Sequence, residues 1–539
     1  MSATVVGLLV GCGTKKTPTA EKGGPAKQSV TAPTTVEGNV PAGRPISRDA
    51  KTGEQLYAQH CAACHGTNGD GRGPAAVFVF PRPRDFRAGR WRLISTVNSV
   101  PTLDDLEAVL TRGMPGSAMV SWAHLSEVDR RALAEHVMKL RGDGARDIEL
   151  KLAAEAEEDL SKEKLAEGIA RATTPGEVFQ PPVVSDSSGE AIARGKEVYL
   201  TKGCAACHGD TGRGDGQQKM VDSEGLPTRP RDLTLGIFKG NHDPKSVYRR
   251  IWLGMPGSPM PASQQLTPEQ VTDMVHFVLS LSNEETREAT VLKRAALAAK
   301  RTRTLPSGPD DPGWQAAKAT GLQTTPLWWR DEPSRDLSVQ ATHDSQTLAL
   351  RISWNDPTHD DAASKPDQFE DMVAAELIQD PNEPFLGMGA SDAAALDVWQ
   401  WRAGTHDTGA SDQQSDEYPF DTPVYRELAK GAALPDFVTA RVVGNPLATR
   451  ESDGANLVSR GFGTLTFRPK ASQVVTAEAA WKDGRWTVIL RRPLVVNAQD
   501  GMSIEPGGRY SVAFAIWDGS AHDRGPQKLI TLWNDLRVE

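Results

Sequence analysis

Two stretches of the chain carry apolar residues at three- and four-residue spacing, the pattern of a helix with one buried face. Leu133, Val137 and Leu140 do so across residues 126–140, and Val271, Val275, Val278 and Leu279 across 267–281. Each stretch opens on a hydroxyl residue with an acid or amide three positions later, Ser126 with Asp129 and Thr267 with Gln270. That arrangement is a helix-start signal. Shorter helical patterns cover 53–60 and 195–201. A charged, alanine-rich run from Glu149 to Ala172 predicts an exposed helix held by acid–base pairs. After Lys300 the period changes from helical to alternating. Strands are predicted over 337–342, 348–354, 372–378, 398–401, 437–443, 463–467, 478–481, 486–491, 510–517 and 528–533. Lys482-Asp483-Gly484-Arg485 predicts a tight hairpin turn. No run of about 20 apolar residues occurs, so no transmembrane helix is expected.

The helical half is an internal repeat. Cys61-Ala62-Ala63-Cys64-His65 returns as Cys204-Ala205-Ala206-Cys207-His208. A glycine-rich loop follows each, then Pro83-Arg84-Asp85-Phe86 or Pro230-Arg231-Asp232-Leu233, then Gly113-Met114-Pro115-Gly116-Ser117-Ala118-Met119 or Gly254-Met255-Pro256-Gly257-Ser258-Pro259-Met260. C-x-x-C-H is the attachment site for c-type haem: the thiols add to the vinyl groups, and the histidine lies under the iron as its proximal ligand. A zinc knuckle would need four ligands close together, and neither copy supplies them. The repeat therefore points to two covalent haem c groups, on Cys61, Cys64 and His65 and on Cys204, Cys207 and His208. Each copy is similar to the class I cytochrome c fold, an all-α domain with the haem between its first and last helices.

That resemblance implies a methionine as sixth ligand, a soft thioether suited to haem iron. Each copy offers two. The later one, Met119 or Met260, precedes the final helix as the family's ligand does, at nearly the same distance from its histidine in both copies. Arg84 and Arg231 present the planar fork that suits a haem propionate. Pro74 matches the family proline whose carbonyl receives the proximal histidine's ring N–H. Gln217 stands there in the second copy, so the two haems would differ in potential.

Length and charge narrow the remainder. At 539 residues the chain is too long for one core. Its net charge of -9 and lack of a Lys/Arg-rich run exclude a nucleic-acid partner. The run Leu9-Val10-Gly11-Cys12 resembles the lipobox of bacterial lipoproteins, without the basic residues that normally precede it. Residues 1–12 are thus expected to be a clipped signal with Cys12 lipidated. Residues 13–45, rich in Thr, Lys, Pro and Gly, would be a flexible tether. The expected division continues with cytochrome domains at 46–142 and 186–285, a spacer at 143–185, a linker at 286–310 and an all-β sandwich at 311–539.

Within that last region, Phe369-Glu370-Asp371-Met372-Val373-Ala374, Pro384-Phe385-Leu386-Gly387-Met388-Gly389, Asp397-Val398-Trp399-Gln400-Trp401 and Ala515-Ile516-Trp517-Asp518-Gly519-Ser520 occur in order, followed by Lys528. The region resembles the haem-b-binding domain of ethylbenzene dehydrogenase gamma subunits, a family of cytochrome subunits of molybdoenzymes. The resemblance implies a non-covalent haem b ligated by Met388 and Lys528, and as partners a molybdenum catalytic subunit and an iron–sulfur subunit. A periplasmic electron carrier, lipid-anchored and not catalytic by itself, is the expectation. Two alternatives stand beside it. Carbohydrate-binding modules share the sandwich architecture, so that domain could bind sugar or dock a partner without haem. A dihaem peroxidase would need an open position on iron, which two methionine ligands argue against.

Overall fold

The computed structural model describes residues 52–330, 335–361, 367–379, 384, 395–404, 454–497 and 501–539. Cys12, the 437–443 strand and Met388 lie outside these residues.

Each half of the helical repeat is built on one crossing of its first and last helices. In the first, Gly53–His60 crosses Glu127–Glu155; in the second, Gly189–Thr201 crosses Pro268–Ser280. The crossing is close because a glycine sits at it. A β-carbon at Gly53 would strike the Ala132 carbonyl, and one at Gly195 the Asp273 carbonyl. Ser126 and Thr267 cap the final helices as the sequence predicts, accepting from the amides of Asp129 and Gln270. A third helix in each half, Leu103–Arg112 or Pro244–Leu253, completes the packing. The apolar cores are separate, one around Leu56, Tyr57, Trp91 and Leu133, the other around Tyr199, Tyr248, Val271 and Met274. The second half also holds a two-stranded ribbon, Met220–Val221 with Pro227–Thr228.

The spacer differs from its expected form. The final helix of the first half does not stop near Leu140 but runs on to Glu155. Gly144 carries it past Arg87 at a distance that leaves no room for a side chain. The chain reverses at Glu157, which has a φ of 55°, and Lys162–Thr173 folds back on the same helix, with Arg171 pairing Glu149 at 3.1 Å. The acid–base run is therefore a helical hairpin instead of one helix over 149–172. Beyond it, Phe179 packs against both helical cores and stacks on Trp252 at 5.7 Å.

Fourteen strands of the C-terminal region form one connected sheet whose two halves face a common core. One half runs Gly454–Ser459, Leu396–Arg402, Met372–Ile378, Arg509–Trp517, Asn534–Val538; the other Leu337–His343, Thr347–Asn355, Arg485–Pro493, Thr476–Trp481. The hairpin at Asp483-Gly484 is present, both residues having positive φ and Trp481 facing Trp486. The sheet is mixed, not purely antiparallel. Ala296–Arg301 joins the halves, pairing in parallel with Asn534–Val538 on one side and Leu337–His343 on the other. This strand falls within the expected linker at 286–310. Among the described residues, no helix is long and apolar enough to cross a membrane.

Candidate haem-binding sites

In the first helical half, Cys61 ends the first helix and the short helix Ala62–His65 follows at once. Both motif thiols are free and partly buried, and burial pushes each up to about 12. Burial also pushes the His65 imidazole down to about 4, so it is neutral at physiological pH. Its Nδ1 lies 3.0 Å from the Arg84 carbonyl. A carbonyl only accepts, so Nδ1 carries the proton and Nε2 keeps its lone pair for a metal. The sequence assigned this contact to the Pro74 carbonyl. Arg84 makes it instead, because the glycine loop folds under the histidine: Gly71 donates to the His65 carbonyl at 2.8 Å and passes the 83–85 segment with no space for a side chain.

The second half repeats this framework. Tyr57 and Tyr199 each donate to the carbonyl of the glycine after the motif histidine, Gly66 at 2.8 Å and Gly209 at 2.6 Å. Gly214 donates to the His208 carbonyl at 2.8 Å. Burial holds His208 near 4 as well, but its Nδ1 has no partner among the described residues. The halves thus differ at the proximal histidine, through a different carbonyl from the one the sequence indicated.

The methionine pairs close two matching loops. Met114 donates its amide to the Met119 carbonyl at 2.8 Å, and Met255 to the Met260 carbonyl at 3.1 Å. Ser117 and Ser258 hydroxyls brace the first methionine of each pair through its carbonyl, both at 2.7 Å. Met119 packs against the first core together with Cys61, while Met114 is not among its neighbours.

Arg84 and Arg231 lie where the two halves meet. Arg84 pairs with Glu224 of the second half at 3.0 Å. Arg231 reaches back to the Pro115 carbonyl of the first. Arg92 pairs with Asp222 at 3.1 Å, and Lys239 is partly buried beside these arginines. Sequence reasoning missed Arg92 and Lys239: neither sits in the repeated motifs, and their surroundings come from the opposite half.

In the C-terminal region, Lys528 places its Nζ 4.8 Å from the centre of the Trp517 ring. Burial lowers the Lys528 amine, and burial raises Glu376 to about 8 against the opposing pull of Lys528. The same sheet half carries an apolar cluster in which Ala374, Ala455, Ala513 and Ala515 lie among Ile378, Leu396, Val398 and Leu457, with Trp517 and Trp533. Trp533 donates to the Pro384 carbonyl at 3.0 Å, which fastens there the start of the segment that carries Met388 in sequence. An apolar face beside an amine already disposed to lose its proton fits a macrocycle with a nitrogen ligand.

A backbone path joins this face to the first helical half. Leu327 donates to the Lys528 carbonyl at 3.1 Å, Phe80 to the Leu327 carbonyl at 2.8 Å, and Trp329 to the Phe80 carbonyl at 3.0 Å. Phe80 stacks on Trp328 and Trp329, and Arg82 and Arg229 lie over the same two indoles.

Residues 311–528 match the family described as ethylbenzene dehydrogenase, residues 192–282 the cytochrome c family, and residues 48–137 the family of cytochrome c oxidase, cbb3-type, subunit III. A haem subunit assigned to respiratory nitrate reductase in Haloferax mediterranei is 26% identical over 38% of this chain and 56% of its own length. The chlorate reductase subunit gamma of Ideonella dechloratans is 26% identical over 38% of this chain and 65% of its own. The dimethylsulfide dehydrogenase subunit gamma of Rhodovulum sulfidophilum is 25% identical over 42% of this chain and 73% of its own. The chain therefore spans between about half and two-thirds of the first two. Among solved structures, the Kuenenia stuttgartiensis reducing HAO-like protein complex has a chain 28% identical with a TM-score of 0.35, covering 43% of this chain and 96% of that one.

Proposed function

For a chain that carries two cytochrome c modules ahead of an ethylbenzene dehydrogenase family domain, we propose an electron-transfer subunit holding two covalent haem c groups and one haem b. Haem iron supplies a one-electron ferric–ferrous couple. The protein's part is to hold it. Cys61 and Cys64, and Cys204 and Cys207, are the thioether attachments. His65 and His208 offer a neutral nitrogen, and Met119 and Met260 the opposite ligand. Lys528, with Met388, would hold haem b on this apolar face. Arg84 and Arg231 would bind propionates. Two good ligands per iron leave no open position for substrate, which suits transfer and not catalysis.

The observation that carries this reading is the matched framework around the two C-x-x-C-H motifs, down to the Tyr57 and Tyr199 hydroxyl bonds. The named relatives are gamma or haem subunits of chlorate reductase, dimethylsulfide dehydrogenase and nitrate reductase. By that likeness the partners are a molybdenum catalytic subunit and its iron–sulfur subunit. The location is periplasmic, with Cys12 as the lipid anchor and 13–45 as the tether. The sandwich reading of the C-terminal domain and its start near residue 311 belong to the same proposal. A pyridine haemochrome assay tests the cofactor set. Two c-type haems with one acid–acetone-extractable b-type haem are expected; c-type haem alone overturns the haem b assignment, and absence of c-type haem overturns the whole.

A further inference from the structure

We propose that the seam between the two cytochrome modules is a shared carboxylate-binding site, where Arg84, Arg92, Arg231 and Lys239 receive propionates of both haems and couple the two electrostatically. The inference rests on the preceding reading that both modules carry haem, and concerns how their acid groups are held.

The seam has too many cations for its acids. Arg84 pairs with Glu224 and Arg92 with Asp222. Neither Arg231 nor Lys239 has a carboxylate within ion-pairing distance among the described residues. Among the described residues, the hydrogen bonds they make across the seam are from Arg231 to the Pro115 carbonyl and from Arg112 to the Lys239 backbone carbonyl, the latter at 3.3 and 3.2 Å. Burial among Arg231, Arg92 and Arg84 pushes the Lys239 amine down to about 7. Burial likewise pushes Arg231 to about 10, with Arg229 adding to the cost. Unpaired buried charge is expensive, and an anion in the seam removes that expense. A carboxylate matches the arginine fork in geometry and charge.

Two donors in the adjoining 91–92 segment are also without a partner among the described residues. The Trp91 indole N–H is buried, with 7% of the residue exposed, and has no partner among the described residues; nor has Nε of its neighbour Arg92. Trp91 belongs to the first core, with Cys61 and Met119, so its N–H opens on the module that would hold the first haem.

The site is shared because the modules cross over one another. Arg231, from the second module, lies against Gly116 and Pro115 in the Met114–Met119 loop of the first. In return Arg90, from the first, bonds the Ser223 carbonyl and lies against Gly257 in the Met255–Met260 loop of the second. Glycine at 116 and at 257 leaves room for the arginine in each case. A charge placed here therefore acts on both haems.

Spectroelectrochemical titration of the full haem-loaded chain tests this. Arg231→Gln and Lys239→Gln are each expected to move both c-type midpoint potentials to lower values, because removing a nearby cation stabilises the ferric state. Glu224→Gln is expected to move both upward. Arg231→Lys should restore much of the wild-type potential, which a purely structural role would not predict. Haem content and the low-spin spectrum are read first on each variant. With two c-type haems present, a shift confined to the second module's haem, or no shift in any variant, overturns the proposal. Loss of c-type haem from the wild-type chain overturns the underlying reading instead.

Discussion

The two cytochrome modules share a framework and differ in what surrounds it. Both place a tyrosine hydroxyl on the glycine after the motif histidine, both cross their outer helices at a glycine, and both close a methionine loop with a serine brace. Yet His65 has its Nδ1 bonded to a carbonyl, and His208 has no such partner among the described residues. The first module is docked through Phe80 onto Leu327–Trp329 of the C-terminal domain. Its last helix is lengthened and backed by a hairpin. The second keeps a short last helix and locks it to its first by a bidentate pair, Arg194 with Asp273 at 2.7 and 2.8 Å. The two modules thus share the part that would hold the cofactor. The parts that set proximal basicity and position in the molecule differ.

The largest test of that comparison is to remove one cofactor at a time. Cys61→Ser with Cys64→Ser should abolish covalent haem in the first module and leave the second loaded; Cys204→Ser with Cys207→Ser should do the reverse. In-gel haem staining of proteolytic fragments reads both outcomes. Unequal loss from the untouched module would mean that the two do not mature independently. Next in size, Met119→Ala and Met260→Ala should each convert one haem from low to high spin, while Met114→Ala and Met255→Ala leave the spectrum low-spin. Electronic absorption in the near infrared follows the iron–sulfur band, and its loss in the Met114 variant would reverse the ligand assignment.

Phe80→Ala should cost about 3 kcal/mol of stability in urea unfolding, as expected for a large buried aromatic. It should also expose the 80–82 segment to limited proteolysis without changing haem content. The smallest effect belongs to the second module alone. Arg194→Ala should lower the urea midpoint only slightly, since Arg194 is half exposed and solvent screens the pair. Ala132 stands in the first module where Asp273 stands in the second, so no counterpart variant exists there.

How far the fold was legible depended on where its determinants lie in the chain. The helix starts at Ser126 and Thr267 and the strand at Met372–Ile378 follow from local spacing, and the structure has them where the spacing put them. Ala296–Arg301 falls in the stretch read as a linker; it is a strand because it has partners on both edges, far away in sequence. The helix predicted over 126–140 runs on through Gly142 and Gly144 to Glu155, and at Gly144 it passes Arg87 with no room for a side chain. The candidate haem attachments rest on wholly local motifs. The basic seam was only half so: Arg84 and Arg231 stand in the repeated motif, but Lys239 and Trp91 gain meaning from a contact between modules. The Pro74 carbonyl was a reasonable local choice displaced by the approach of residues 83–85.

The strand at Ala296–Arg301 has one more consequence, for the order in which the chain matures. Its neighbour on one side, Leu337–His343, is made soon afterwards. Its neighbour on the other, Asn534–Val538, pairs Ala296 with Asp535 and is made at the far end. A contact of such long range forms late and slowly, because a large loop must close before any bond is gained. Until then the half of the sheet that carries Lys528 has an unpaired edge at Asn534–Val538, where other chains could add. The last few residues act as a latch. The two helical modules, each assembled from local contacts, are free to fold while that latch is still open.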